Sequence, residues 1–527
     1  MTGGFLQLAA TSTADSFLTS NPQISFFKNV FRKHTRFAIE SIDESGTNTE
    51  LRKTSNSSFR IKIPRDGDLI CGMYFVFTLP TIYSGKFSNT NSNTYNFKWV
   101  RNIAAHIIKE VTLFIGSQKI DTLTGEWIDI QNELTSDYNQ KILGAKLSGN
   151  VKELYEPESA HGNNGNYPHI RGDNTAQHAR NDALGFNSLT INDVIEGTTF
   201  PSIDGTTLKI PLPFFFSGNP GLSIPLIALQ YHEVELEFTL APLYDLFTVI
   251  DPVGGRDSFG RRVKVTDSLD NELGFSNFTK DDTFLSSSRL NINAKIETLY
   301  AFLDTEERKR FASFEHEYLI TQVNKQSPIV GVDTPSQSFK ISGLNPVKYI
   351  VVAPKREDQI ALNQHGNFTH WINGIPPYSP QFKFSDQYYD TNKEIFPFYT
   401  NNYLTQTELT PSNSQKDIIE SMVLKLNGSE RFSERHKEYF LYQQPLQHFS
   451  IAPTLDGIYC YSFCLSANET QPSGSCDFSV FNEVHMEIKS SIPNITDYVY
   501  KVNYDIYLVN YNIFKVVSGM GSLVYSY

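Results

Sequence analysis

The strongest constraint on this chain is an alternation. From Glu233 to Leu240, Val234, Leu236, Phe238 and Leu240 take turns with Glu233, Glu235, Glu237 and Thr239. A period of two sends the apolar set to one face and the polar set to the other, which describes a half-buried antiparallel strand. Val111, Leu113 and Ile115 repeat the pattern, as do Val484, Met486 and Ile488 with His485 and Glu487 between them. The stretch Val499 to Val517, rich in Tyr, Val and Ile, reads as one or two long strands. Pro211, Pro213, Pro242 and Pro493 fall at strand margins, where a missing N–H is tolerated.

Helical signals are few. Trp127, Ile130 and Leu134 recur at helical spacing after Gly125. A second helix is expected over about 304–316. Asp304 can cap it with Glu307 in the capping-box position, Glu306 and Arg310 are spaced as an i,i+4 pair, and Phe311, Phe314 and Tyr318 form an apolar stripe. It lies between two β-rich halves and marks the best domain boundary. Long irregular stretches are expected at about 136–205, 244–288 and 355–416. The first holds the polar run His161 to Asn166. Loops of that length usually bind or present something. Many short strands, long excursions and few helices give an all-β sandwich or barrel class, here as two domains.

Composition then excludes classes. The 527 residues are 39% hydrophobic, too apolar for a disordered chain and long enough to bury cores without staples. The net charge of −12 argues against a protein whose main task is gripping phosphate backbone. No run of about 18 apolar residues reads as a transmembrane helix. Met1 to Ser20 lacks a basic stretch ahead of its apolar residues and is interrupted by Asp15, so no secretory leader is expected there. Cys71, Cys460, Cys464 and Cys476 form no CxxC pair and read as free thiols of a reducing compartment.

Chemistry is sparse. Glu233, Glu235 and Glu237 share a strand face and could hold a hard cation, but a solvated face is the simpler reading. Asp386 and Asp390 flank Tyr388 and Tyr389; paired carboxylates serve glycosidases, yet here turn chemistry is the better account. His365 and His370 are too far apart along the chain to suggest a local ligand pair, and no His-x-His occurs. Cys460 and Cys464, on a strand from Ile458 to Leu465, would lie about 13 Å apart, too far to share a metal, and read as buried apolar groups. Arg171-Gly172-Asp173 is a chance-level tripeptide, and the six sequons, at Asn56, Asn277, Asn367, Asn427, Asn468 and Asn494, are near chance frequency. There is no Gly-x-Ser-x-Gly, P-loop or dinucleotide fingerprint. No catalytic residue, cofactor or metal is assigned. Pattern alone leaves a structural shell, a lectin and a cupin-like enzyme open.

Ordered motifs narrow this. Near the start stand Gly3-Gly4, Gln7-Leu8, Thr19 to Ile24 with Asn21-Pro22, Phe26-Phe27-Lys28, Arg32 to Thr35 and Phe37 to Ile42. Asp66 to Ile70, Val100 to Ile103, Ile115 to Asp121, Gly125-Glu126-Trp127, Asn132 to Thr135, Leu212-Pro213-Phe214-Phe215-Phe216 and Leu303-Asp304 to Arg308 follow. Then come Leu426-Asn427-Gly428, Arg431, Tyr439-Phe440, Gln444-Pro445, Gly457 to Tyr459, Gln471-Pro472-Ser473-Gly474-Ser475, Tyr511-Asn512 and Ser518-Gly519-Met520-Gly521-Ser522-Leu523. In this order they resemble the major capsid proteins of nucleocytoplasmic large DNA viruses, over nearly the whole chain. Cys476 to Ser479 and Gln447-His448-Phe449 depart from the family pattern.

The resemblance implies two consecutive eight-stranded jelly rolls. The first roll would be 26–303, the linker helix 304–316 and the second roll 317–527, with the long loops building an outer tower; residues 1–25, polar and β-poor with Asn21-Pro22 as a turn, are expected to form an arm at the inner face that reaches neighbours or minor capsid proteins. It implies a homotrimer that tiles an icosahedral shell as a pseudo-hexagonal capsomer, together with minor capsid and penton proteins. An inner membrane would lie nearby, with no direct nucleic-acid contact, and the protein would be made and assembled in host cytoplasm. It implies no enzyme activity. A minor capsid or spike paralogue with glycan-binding loops is the alternative.

Overall fold

The computed structural model describes residues 3–525 apart from 46–48, 83–95, 156–202, 252–260, 264, 266–273, 280–288, 344, 371–415, 452, 493 and 496–497. His161 to Asn166, Arg171 to Asp173, Asp386 to Asp390 and Pro493 therefore lie outside the described residues, with most of the stretches 136–205 and 355–416.

Alternation becomes sheet as expected. Val234–Leu240 is a strand whose Val, Leu and Phe side chains are all buried. It pairs with Ser57–Ile63 on one side and Ile108–Ile115 on the other, and Gln118–Leu123 completes a four-stranded antiparallel sheet. A second sheet runs Phe37–Ser45, Lys295–Leu303, Leu69–Leu79, Thr206–Pro211, with Ile224–Pro225 also on Leu69–Leu79. The two sheets meet through aromatic rings: Phe238 of the first stacks 5.0 Å from Phe75 of the second and 5.1 Å from Phe59. Each such ring contributes roughly 1.5–3 kcal/mol by leaving water.

The second half repeats the plan. Its larger sheet has the order His316–Lys325, Val502–Val517, Pro346–Arg356, Tyr459–Ser462, with short strands added at its margins. Its smaller sheet runs Ser336–Lys340, Val484–Ser490, Ile419–Leu426, Ser429–His436. Phe339 against Tyr504, 5.3 Å apart, joins them. The fold is all-β, a double jelly roll.

One sheet is buried on both faces. Along Pro346–Arg356, Ile350 and Val352 join the core of the second half, while Tyr349, Val351 and Ala353 join the core that fills the first half. Along Val502–Val517, Ile506 and Leu508 point one way and Tyr507 and Val509 the other. This double burial is why every residue from Tyr504 to Asn512 is buried, where a strand covered on one face would alternate.

Several expectations need correction. The linker helix is Thr305–Ser313; Asp304 caps it by accepting from Glu307 N at 2.9 Å, but it ends before Phe314, which is 68% exposed. Tyr318 belongs to the next strand, because His316–Lys325 pairs with Val502–Val517. Glu306 pairs with Lys309 at 3.5 Å rather than with Arg310. The stretch after Ser136 opens with a helix, Tyr138–Ser148, whose cap Asp137 and Gln140 form a reciprocal box. The stretch 244–288 contains strands Phe247–Asp251 and Arg261–Val263, which join Asn96–Trp99 in a small sheet. The strand holding Cys460 stops at Ser462, and the Ser462 hydroxyl turns the chain by accepting from Cys464 N at 3.2 Å. Both thiols are buried, and burial raises that of Cys460.

Candidate functional site: a polar seam and the motif positions

The seam between the halves is built on the helix Gly125–Thr135. Thr124 caps it, accepting from Trp127 N at 3.2 Å. Trp127, Ile130 and Leu134 are buried as the spacing requires. Gly125 has a steric reason: a Cβ there would stand 2.0 Å from the Ala105 carbonyl oxygen and 2.2 Å from that of Ile108. The close approach seats Trp127, whose ring lies 5.0 Å from Tyr507 of the second half.

Glu126 leaves the same turn and meets a buried ion cluster. Its Oε2 lies 2.6 Å from Lys355 Nζ and 3.9 Å from Lys325 Nζ. Asp505 accepts from the same two ammonium groups, at 2.8 Å from Lys325 and 2.9 Å from Lys355. Burial raises the Glu126 carboxyl against the pull of Lys355. Burial also acts against the Lys355 charge, but Glu126 and Asp505 outweigh it and hold the ammonium above its usual range. Asp505 is penalised by burial too, yet the two lysines bring it down to about 2.

Further polar stitches follow the seam. Glu133 accepts from Thr454 N at 2.7 Å, from its hydroxyl at 2.8 Å and from Lys141 Nζ at 3.1 Å. Asn363 Nδ2 donates to the carbonyls of Tyr244 and Phe247, at 2.7 and 2.9 Å. Gln322 Nε2 donates to the Ile120 carbonyl. His365, too far along the chain from His370 to suggest a local pair, lies 5.4 Å from His106, ring to ring. His370 Nε2 contacts the Ser491 carbonyl at 2.8 Å. Such an arrangement can fix one half against the other. Among the described residues no group of His, Cys, Asp and Glu is placed to hold a metal. The strand carboxylates Glu233, Glu235 and Glu237 form surface ion pairs with Lys62 and Arg60.

The other motif positions serve turns and packing. Asn21, in the left-handed region, Pro22, Phe26 and Phe27 are exposed. Phe214 is buried behind half-buried Pro213, its ring 5.8 Å from Phe216. Asn427 and Gly428 make a two-residue hairpin turn with φ of 49° and 81°, and Asn427 Oδ1 also accepts from Glu483 N. Gln444, buried beside Pro445, donates to the Tyr439 hydroxyl and accepts from Ser462 N. Ser473, between exposed Pro472 and Gly474, ties its hydroxyl to both backbone groups of Ser466. Gly519, with Ser518, turns Val502–Val517 back into Met520–Leu523, and its carbonyl accepts from Tyr231 N of the first half. Met520 is exposed, and Gly521 packs so tightly on Leu229 and Phe514 that a Cβ would lie 2.9 Å from each. Lys325, Lys355, Asp505, Thr454 and Asn363 carried no sequence signal, since their partners are distant in the chain.

Comparison with known proteins agrees with this build. Residues 25–272 match the family described as major capsid protein N-terminus, and residues 307–522 that described as large eukaryotic DNA virus major capsid protein. The major capsid protein of Phaeocystis pouchetii virus is 28% identical, with all of both chains covered. That of Pyramimonas orientalis virus is 29% identical, again over all of both chains. A chain of the PBCV-1 virus capsid superposes with a TM-score of 0.59 at 24% identity, covering 95% of this chain and 100% of that one. This chain belongs to the major capsid proteins of large eukaryotic DNA viruses.

Proposed function

We propose that this protein is the lattice tile of an icosahedral shell: a homotrimer that acts by binding, not by catalysis. The observation that carries the reading is that both halves match the capsid family in order and fold as paired β-sheets, each pair around its own core. Three copies of a two-roll chain place six rolls about one axis, so a threefold particle gains six nearly equivalent edges. In this reading the rolls lie within residues 26–303 and 317–527, the first opening at the strand Phe37–Ser45, the linker helix spans the boundary, and the polar seam keeps the two rolls of each chain in fixed orientation. Exposed apolar side chains such as Tyr138, Leu143 and Leu147 on one helix support burial against other chains. Minor capsid and penton proteins are the further partners, and assembly takes place in host cytoplasm.

The test is the solution mass of the purified chain by light scattering after size exclusion. Three copies of 59.8 kDa give about 179 kDa, with hexagonal outlines in negative stain. A stable monomer that forms no tiles with its partner proteins overturns the trimer reading.

A further inference from the structure

The described part of the first 36 residues stands apart from the body. Residues 3–36 are exposed throughout, and among the described residues no hydrogen bond or ion pair ties them to the rest. Two short helices, Gly3–Ala9 and Thr13–Thr19, carry Phe5, Leu6, Leu8, Phe17 and Leu18 into solvent. Beyond them, Ile24, Phe26, Phe27, Val30 and Phe31 are exposed as well, Phe27 completely.

Charge in this stretch is one-sided. Lys28, Arg32, Lys33 and Arg36 fall within nine residues, with His34 among them. No Asp or Glu occurs between Asp15 and Glu40, although the whole chain carries −12. Cations therefore alternate with phenylalanines along a non-helical segment, residues 23–36, that has no partner in the fold.

We propose that residues 24–36 bind the surface of a lipid bilayer whose headgroups are anionic. Two signals are needed for firm interfacial attachment, and this segment holds both. Apolar rings can enter the headgroup boundary, and a basic cluster is drawn to negative lipid. The one-sided charge selects an anionic surface, and a bilayer asks only for depth and charge, which a segment without helix or strand supplies. The segment lies on the membrane and does not cross it, since no helix among the described residues is long and apolar enough to do so. The proposal extends beyond the capsid reading and does not depend on it.

The experiment is vesicle flotation of the full-length chain. Vesicles of phosphatidylcholine alone are compared with vesicles containing about 30% phosphatidylserine, at low and physiological salt. The protein is expected to float with the anionic vesicles, less at higher salt, and not with the neutral ones. Each basic residue contributes roughly fivefold to partition, so the K28E/R32E/K33E variant should lose at least about a hundredfold. The F26S/F27S/F31S variant should also lose binding while retaining all its charge. These side chains are exposed, so both variants should keep the parent's light-scattering mass. No flotation of the parent, equal flotation on both vesicle types, or unchanged flotation of either variant overturns the proposal. So does a changed light-scattering mass in either variant without vesicle binding by the parent, which would place the segment on another protein chain.

Discussion

Glu126 and Lys355 are 229 residues apart in sequence, yet their side chains meet at 2.6 Å in the buried seam between the two halves. Neither end of the contact is local, so the pair reports directly on how the halves are docked. A buried charge stripped of its partner costs about 3–5 kcal/mol. K355M leaves two carboxylates facing Lys325 alone and should cost that much in urea denaturation. E126Q should cost less, because Asp505 still neutralises Lys355. Equal losses for the two variants would show that Asp505 is not part of the working cluster.

Gly125 should tolerate no side chain. The Cβ of an alanine would stand 2.0 Å from a backbone oxygen, an atom that cannot swing aside. G125A is expected to destabilise by about 3 kcal/mol or more through forced separation of the helix from residues 105–108. Near-parent melting of the soluble variant would contradict this account of the turn.

The seam should also respond to pH. Burial raises the Asp121 carboxyl to about 7, against the pull of the Thr122 and Val323 amides and of Lys119. Burial raises Asp129 likewise to about 7, with Glu133 adding to it and Asn102 opposing. A carboxyl raised on folding contributes stability that is complete below the unfolded value of 3.8 and lost as pH rises through 7. Each should cost about 1 kcal/mol between pH 6 and pH 8. The buried imidazoles of His106 and His370 are lowered, chiefly by burial, and act in the opposite sense as pH falls below 6.5. The comparison is therefore between parent and D121N. The variant should lack about 1 kcal/mol of the parent's fall over that window, and identical profiles would contradict the assignment.

Gly519 turns the long strand back at φ +83°, where a Cβ would also touch the Tyr231 ring at 2.7 Å. G519A combines left-handed strain of about 1–2 kcal/mol with a clash. G519A/Y231A should recover the clash but not the strain. If the double variant is no more stable than G519A, the contact with Tyr231 carries no cost.

Much of the fold was readable because its signals are local. Alternation in Val234–Leu240 and Val484–Ser490 fixes which face is buried, and a one-residue slip would expose every apolar group. Asp304 marks a helix start since a side-chain oxygen three residues ahead of an amide caps it. The helix end was misplaced at Phe314 to Tyr318, where spacing alone suited a helix. Pairing of His316–Lys325 with Val502–Val517 prevailed, and only the partner strand could reveal that. The helix Tyr138–Ser148 was hidden because its apolar side chains face outward and it has no buried stripe to read.

By itself the sequence determined the strand faces, the two β-rich halves and the ordered motifs that place the chain in its family. These rest on neighbours within a few residues, where side-chain period and backbone sterics decide the outcome. The tertiary structure alone decided that the sheet containing Pro346–Arg356 is buried on both faces, and that Glu126, Lys325, Lys355 and Asp505 share one cluster. Those facts depend on surfaces brought together from opposite ends of the chain. Desolvation forces charges to find partners there, and no local pattern records which partners they find.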